Sequence, residues 1–243
     1  ATTTYTVTGT DANGCVNTDQ VVVTVSPLPT ASITASAATI CVGASTTLTA
    51  NGGTGFTYLW SNGATTQAIT VSPSATTTYT VSVTNANGCT SASAASQVIT
   101  VNPLPVASIT ASASAVCVGT SATLTASAGS SYLWSTGATT AAITVTPTST
   151  TSYSVTVTNA NGCSATSAVT TIGVNPLPVV AAGNDAAICE GSSTSLVASG
   201  ASTYVWSPST GLSATNTASV TANPTATTTY TVTGTDANGC VNT

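Results

Sequence analysis

Residues 40–89 read ICVGASTTLTANGGTGFTYLWSNGATTQAITVSPSATTTYTVSVTNANGC. Apolar side chains recur there at every second position: Tyr58 and Trp60, Ile69 and Val71, then Tyr79, Val81 and Val83. A period of two places successive side chains on opposite faces of a pleated strand, so each short run has one face for a core and one for solvent. The intervening residues are mostly Thr, which suits a half-buried sheet surface. Gly, Pro, Asn and Ser punctuate the runs at turn-like intervals, and no stretch carries a helical period. The expectation is an all-β sandwich of six or seven strands per module. Asn-Gly at 13/14, 87/88, 161/162 and 238/239 is read as a two-residue hairpin turn with both residues at positive φ. Asn62-Gly63 is a further turn candidate.

The same landmarks return on both sides of that stretch, which makes the chain a tandem repeat. A Pro-Leu-Pro triplet at 27–29, 103–105 and 176–178 recurs after 76 and then 73 residues. Within each interval come a Cys-x-Gly (Cys41, Cys117, Cys189), a Tyr-x-Trp (Trp60, Trp134, Trp206), a Tyr-x-Val (Tyr79, Tyr153, Tyr230) and a closing Asn-Gly-Cys (Cys89, Cys163, Cys240). The expected division is 1–29 as the end of a preceding module, 30–105 and 106–178 as complete modules, and 179–243 as a module without its last strand. Residues 1–18 and 226–243 are identical, an offset of 225 residues. This is expected of a window from a longer polypeptide with a three-module period; the alternative is a short subunit whose N-terminal strand completes a neighbour.

Composition removes most functions. The 243 residues include no Lys, Arg or His and five carboxylates: Asp11, Asp19, Asp185, Glu190 and Asp236. Affinity for a phosphate backbone and for anionic membrane surfaces comes from Lys and Arg, so nucleic acid is excluded as a partner. No run of about 18 apolar residues is present, so no membrane insertion is expected in this segment. No His or Lys is available as a general base, to activate a nucleophile or, for His, to bind zinc. The carboxylates are absent from the second module and sit in turns, so the chain is read as not an enzyme. Only 2% of residues are charged while 42% are hydrophobic, the opposite of a disordered chain.

Modules of about 75 residues bury little core for their size, and covalent support is expected. The seven cysteines resolve if each module closes its own bridge, Cys41–Cys89, Cys117–Cys163 and Cys189–Cys240, with Cys15 paired to a residue before the window. Each would contribute on the order of 4 kcal/mol by the chain-entropy argument and would imply an oxidising, extracytoplasmic setting.

The order Cys-x-Gly, Tyr-x-Trp-Ser, Tyr-Thr-Val and Asn-Gly-Cys resembles the Ig-like or PKD-like repeats of very large Bacteroidetes surface proteins, notably the SprB-type gliding-motility adhesins. The resemblance covers essentially the whole chain. It implies a β-sandwich, export by the type IX route, display on the bacterial cell surface, and service as an adhesin or its stalk. Two departures matter. Cys89 lies ten residues after Tyr79, beyond the hairpin, whereas an antibody-type domain has its second Cys two after the corner Tyr; the bridge is therefore expected at one end of the sandwich. In place of an acidic PKD loop stands Trp60-Ser61-Asn62-Gly63.

Candidate sites are few. The recurring Trp60, Trp134, Trp206, Tyr79, Tyr153 and Tyr230 are read as core, with a sugar-stacking platform as the alternative. Asp11, Asn13, Asp236 and Asn238 alternate like part of a calcium loop, and Asp185 with Glu190 forms a second weak cluster; an Asx-turn accounts for the first four equally well. No catalytic residue, cofactor or resident metal is expected. The scarcity of charge leaves edge strands without their usual protection, so lateral self-association is an expectation beside contacts between neighbouring repeats and with a surface polysaccharide or substratum. The leading functional expectation is the repeat region of an adhesive filament. The alternatives are a spacer or carbohydrate-binding module of a secreted polysaccharide-degrading enzyme, and a non-adhesive surface fibre.

Overall fold

The structure, a computed structural model, describes residues 2–243. Every regular element among them is a β-strand. A hairpin pairs β1 (Thr3–Thr10) with β2 (Val16–Val23). The first module then runs through β3 (Ile33–Ala35), β4 (Thr39–Cys41), β5 (Thr46–Ala50), β6 (Thr57–Trp60), β7 (Ala68–Val71), β8 (Thr77–Thr84) and β9 (Ala95–Asn102). The second comprises β10 (Ile109–Ala111), β11 (Ala115–Cys117), β12 (Ala122–Ala126), β13 (Ser131–Trp134), β14 (Ala142–Val145), β15 (Thr151–Tyr153), β16 (Val155–Thr158), β17 (Ser164–Thr166) and β18 (Thr170–Asn175). The third has β19 (Thr194–Val197), β20 (Thr203–Ser207), β21 (Ser219–Ala222), β22 (Thr231–Thr235) and β23 (Val241–Asn242). The chain divides into two compact units, Ala1–Leu104 and Pro105–Thr243.

Each module is an Ig-like sandwich of two facing layers around its own core. In the first, one sheet has the order β3-β5-β7 and the other β4-β9-β8-β6. Alternation along the strands delivers Leu48 from β5 and Trp60 from β6 inward, and Val81, Val83 and Ile99 from β8 and β9 meet them. Leu124, Trp134, Val155, Val157 and Ile172 do the same in the second module, and Trp206, Val220 and Val232 in the third. One polar side chain enters the first core. Thr46 donates to Ala37 O at 2.8 Å and accepts from Ala37 N–H at 3.0 Å, so its hydroxyl is satisfied inside.

The last strand of a module does something that alternation alone does not reveal. β9 runs antiparallel to β8 and parallel to β4, with Thr39 opposite Thr100 and Cys41 opposite Asn102. In the second module β18 lies in the same way between β11 and β15, with Cys117 opposite Asn175. The short strand carrying the Cys-x-Gly thus switches sheets and seals the core from the far side.

The Asn-Gly turns differ from the two-residue turn expected. Among the described residues none other than glycine has positive φ, whereas Gly14, Gly88, Gly162 and Gly239 lie at 83°, 77°, 78° and 80°. Gly88 N–H donates to Asn85 O at 2.9 Å and Asn85 N–H to Cys89 O at 3.0 Å, the pattern of a turn closed by a glycine bulge. The physical reason is the residue that opens the turn. Asn85 Oδ1 accepts from both Asn87 N–H and Cys89 N–H at 3.0 Å, which holds the backbone in an Asx-turn with the preceding Asn at negative φ.

Candidate functional site

Asn85, Cys89, Cys117, Cys240 and Asn242 lie at Pro-Leu-Pro joints. In the second unit the joint is Asn175-Pro176-Leu177-Pro178. Proline fixes φ and donates no hydrogen bond, so the segment cannot prolong the sheet. Beside it, Val118 N–H donates to Asn175 O at 3.0 Å, which brings the end of β11 to the end of β18. From the third module Asn242 Nδ2 donates to Pro178 O at 2.9 Å. Between the two modules Cys117 and Cys240 form a disulfide with a Cα–Cα distance of 5.6 Å.

The first unit shows the same grip by another side chain. Asn85 Nδ2 donates to Pro27 O at 3.2 Å, and Cys89 Sγ lies 3.9 Å from Ser26 O. In the third module the residue opening the turn is Asp236, whose side chain carries no N–H to donate, and Asn242 supplies the bond to the joint.

The expected cysteine pairing is therefore corrected. Cys117 joins Cys240 of the following module, which excludes both Cys117–Cys163 and Cys189–Cys240. Cys15, Cys89 and Cys189 are free thiols, which excludes Cys41–Cys89; Cys41 and Cys163 are in disulfide linkage. Geometry explains the failure. Cys117 sits opposite the last residue of β18, whereas Cys163 precedes β17 and β18 and so lies toward the other end of the module. The six residues of β18 alone span ~20 Å at ~3.3 Å per residue, against the ~7 Å limit for bridgeable Cα atoms. The Asn-Gly-Cys of the next module is what stands beside the Cys-x-Gly. One sequence signal could have found this: the Cys-x-Gly strand must end where the Pro-Leu-Pro joint begins once the last strand pairs with it.

The other predicted residues fall into two groups. Trp60, Trp134 and Trp206 are each 2% exposed, and their indole N–H groups donate to Thr66 O, Thr140 O and Thr217 O at 2.8, 2.8 and 3.0 Å. Tyr153 is buried, while Tyr79 and Tyr230 pack partly buried against their cores. The three tryptophans and Tyr153 are therefore core residues with no free aromatic face, whereas Tyr79 and Tyr230 keep a partly exposed ring. Asp11 and Asp236 are committed to their turns: Asp11 Oδ1 accepts from Asn13 N–H and Cys15 N–H at 2.8 and 2.9 Å, and Asp236 Oδ1 from Asn238 N–H and Cys240 N–H at 2.8 Å. Asn85 and Asn159 hold the equivalent turns with a neutral amide, so the turn needs an oxygen acceptor and not a charge. Among the described residues no group of three or more Cys, Asp or Glu is arranged to hold a metal ion.

Asp185 and Glu190 lie at a cleft of about 780 Å3 in the third module. Its walls include Ala186, Ile188 and Cys189 on one side, Thr227 and Tyr230 on the other, and Trp206 and Leu196 beneath. Ala186–Cys189 and Thr227–Tyr230 correspond to β4 and the start of β8, and they carry no strand pairing here. The space between them is the place that β9 and β18 fill in the other two modules.

Among curated proteins no match is found. Among solved structures, the chain is similar to a Ca2+-stabilised adhesin with which an Antarctic bacterium reaches out and binds ice, at 16% identity and a TM-score of 0.39, covering 99% of this chain and 79% of that one. It is also similar to a structure from a 1.5-MDa bacterial ice-binding adhesin, at 15% identity and a TM-score of 0.37, covering 89% and 95%. The SGBP-B protein of the Bacteroides ovatus mixed-linkage glucan utilization locus, in complex with a mixed-linkage heptasaccharide, matches at 19% identity and a TM-score of 0.23, covering 84% and 60%. At the level of families, residues 29–103, the first complete module, match the Ig-like domain described as CHU_C associated.

Proposed function

We propose that this chain is a load-bearing repeat region of an extracellular bacterial adhesin, of the gliding or attachment type that its sequence resembles. The observation that carries the reading is the Cys117–Cys240 disulfide, which ties one Ig-like module to the next rather than closing either on itself. A bond of that kind persists in an oxidising compartment and acts on the transmission of force along an array. The buried tryptophans, the commitment of Asp11 and Asp236 to their turns and the lack of any Lys, Arg or His support a mechanical role for the modules. The partners are then neighbouring repeats of the same polypeptide, with surface polysaccharide or a substratum as the adhesive target and the type IX route as the means of export.

Imaging of intact source cells with an antibody against residues 106–178 tests this. Label along surface threads, with attachment or gliding impaired by the bound antibody, is the expected result. Label confined to soluble protein in the medium would overturn it and favour a spacer in a secreted polysaccharide-degrading enzyme.

A further inference from the structure

We infer that Cys117 is a thiol-exchange site, at which a small thiol opens the staple between the second and third modules, and that opening it frees the joint while both modules stay folded. The inference stands whether or not the array is adhesive.

The two sulfurs of the staple are unequal. Cys240 is 0% exposed, whereas Cys117 is only half-buried. The same asymmetry recurs at the repeat counterparts, where Cys163 is 0% exposed and Cys41 half-buried, and these two are also in disulfide linkage. Exchange proceeds by attack of a thiolate on one sulfur of a disulfide, and access decides which sulfur is attacked. A thiol arriving from solution therefore meets Cys117 and expels Cys240. A bond forms between Cys117 Sγ and the incoming sulfur, the Cys117–Cys240 bond breaks, and the departing electron pair takes up a proton on Cys240 Sγ. A second small thiol then attacks the mixed disulfide at the first small thiol's sulfur and releases Cys117 as a thiol. In sum, two small thiols are oxidised to one small-molecule disulfide and the protein disulfide is reduced to two thiols.

Each cysteine is held by its own module, so its place outlives the bond. Cys117 ends β11 opposite Asn175, and its carbonyl accepts from Thr120 N–H at 2.9 Å and from Thr120 Oγ1 at 2.8 Å. Cys240 sits in the turn opened by Asp236: its N–H donates to Asp236 Oδ1 at 2.8 Å, and its carbonyl accepts from Asp236 N–H at 2.9 Å. None of these bonds runs through the sulfurs. When small thiols are withdrawn, Cys240 is therefore in position to displace a thiol left on Cys117 and close the staple again.

The modules joined by the bond do not share an interior. The core around Trp134 and the core around Trp206 have no residue in common. A bridge inside a core would act on the fold when reduced, whereas this one acts on the segment between two folds. With the staple open, the Pro176-Leu177-Pro178 joint and the bond from Asn242 Nδ2 to Pro178 O remain to orient the third module on the second.

The test uses the full 243-residue chain with Cys15, Cys89 and Cys189 replaced by Ser, so that no free thiol of the protein competes. Reduced glutathione is added well below the melting transition, because releasing a bond that spans 123 residues lowers that transition even where the native state is unchanged. Alkylation, peptic digestion and mass spectrometry then locate the glutathione. The expected result is at least tenfold more on Cys117 than on Cys240. Hydrogen exchange in the peptide across residues 174–182 rises at least tenfold on reduction, while exchange in β13 and β20, which carry Trp134 and Trp206, is unchanged. Cys117→Ser and Cys240→Ser reproduce that exchange pattern without reductant, which separates this bond from the linkages of Cys41 and Cys163. Removal of glutathione restores slow exchange at the joint only where both cysteines are present. Glutathione shared equally between the two sulfurs, an unchanged joint, or exchange in β13 or β20 that rises together with the joint overturns the proposal.

Discussion

Trp134 shows how much of each module rests on one side chain. Its ring is 2% exposed among Leu124, Val155 and Ile172, and its N–H finds Thr140 O at 2.8 Å. Trp134→Ala removes the ring and leaves that carbonyl without its partner, and is expected to cost about 3–5 kcal/mol in denaturant unfolding of the second module. Trp134→Phe keeps most of the packing but strands the carbonyl, and should cost about 1–3 kcal/mol. Equal losses in the two variants would show that the hydrogen bond, not the ring volume, carries the site. Asp236→Asn gives the opposite forecast. Asn85 and Asn159 already perform the same turn with an amide, so the melting temperature should change little, and added calcium or a chelator should shift neither form.

At the scale of elements, the turn that closes each module depends on a single glycine. Gly162 has φ of 78°, and a Cβ there would meet nothing within 4 Å, so substitution is opposed by backbone conformation and not by crowding. Gly162→Ala is expected to destabilise the second module by about 1–2 kcal/mol, read as a lower denaturant midpoint at unchanged slope. Gly234 differs although it too lies in a repeated position. Its Cβ would approach Val180 Cγ2 and Ala201 Cβ at 2.6 Å, so replacement there should act through packing of β22 against the start of the third module. Its repeat counterpart Gly9, in β1, meets nothing within 4 Å and should accept alanine readily.

For the whole molecule the governing feature is the bond across the joint. The Cys117–Cys240 disulfide spans 123 residues, so a pull on the ends of the chain bypasses the stretch between them until the bond is reduced. Single-molecule stretching should therefore show a hidden length of at least roughly 400 Å from this bond, at ~3.3–3.6 Å per residue, that appears only with reductant. Full extension without reductant would contradict the linkage. The bond also changes what a module is mechanically. A bridge inside each module would shorten the extension of that module alone, whereas a bridge between modules removes the joint at 176–178 and most of both the second and the third module from the force path.

The strands, their inward faces and the repeat were legible in the residues themselves, because alternation such as Tyr58-Leu59-Trp60 is a local consequence of pleating and survives without knowledge of any partner. The Asx-turns were half legible: Asn-Gly marked the place, but the turn type was decided by Asn85, two residues upstream of the pair. The cysteine pairing was not legible, since a count of seven fits closure within modules as well as closure between them. Only the tertiary structure decided it, because the parallel pairing of Cys117 with Asn175 carries the first cysteine to the joint, a full strand length from the second cysteine of its own module. Local periodicity is written in neighbouring residues, whereas the choice of partner is settled by distances between segments far apart in the chain.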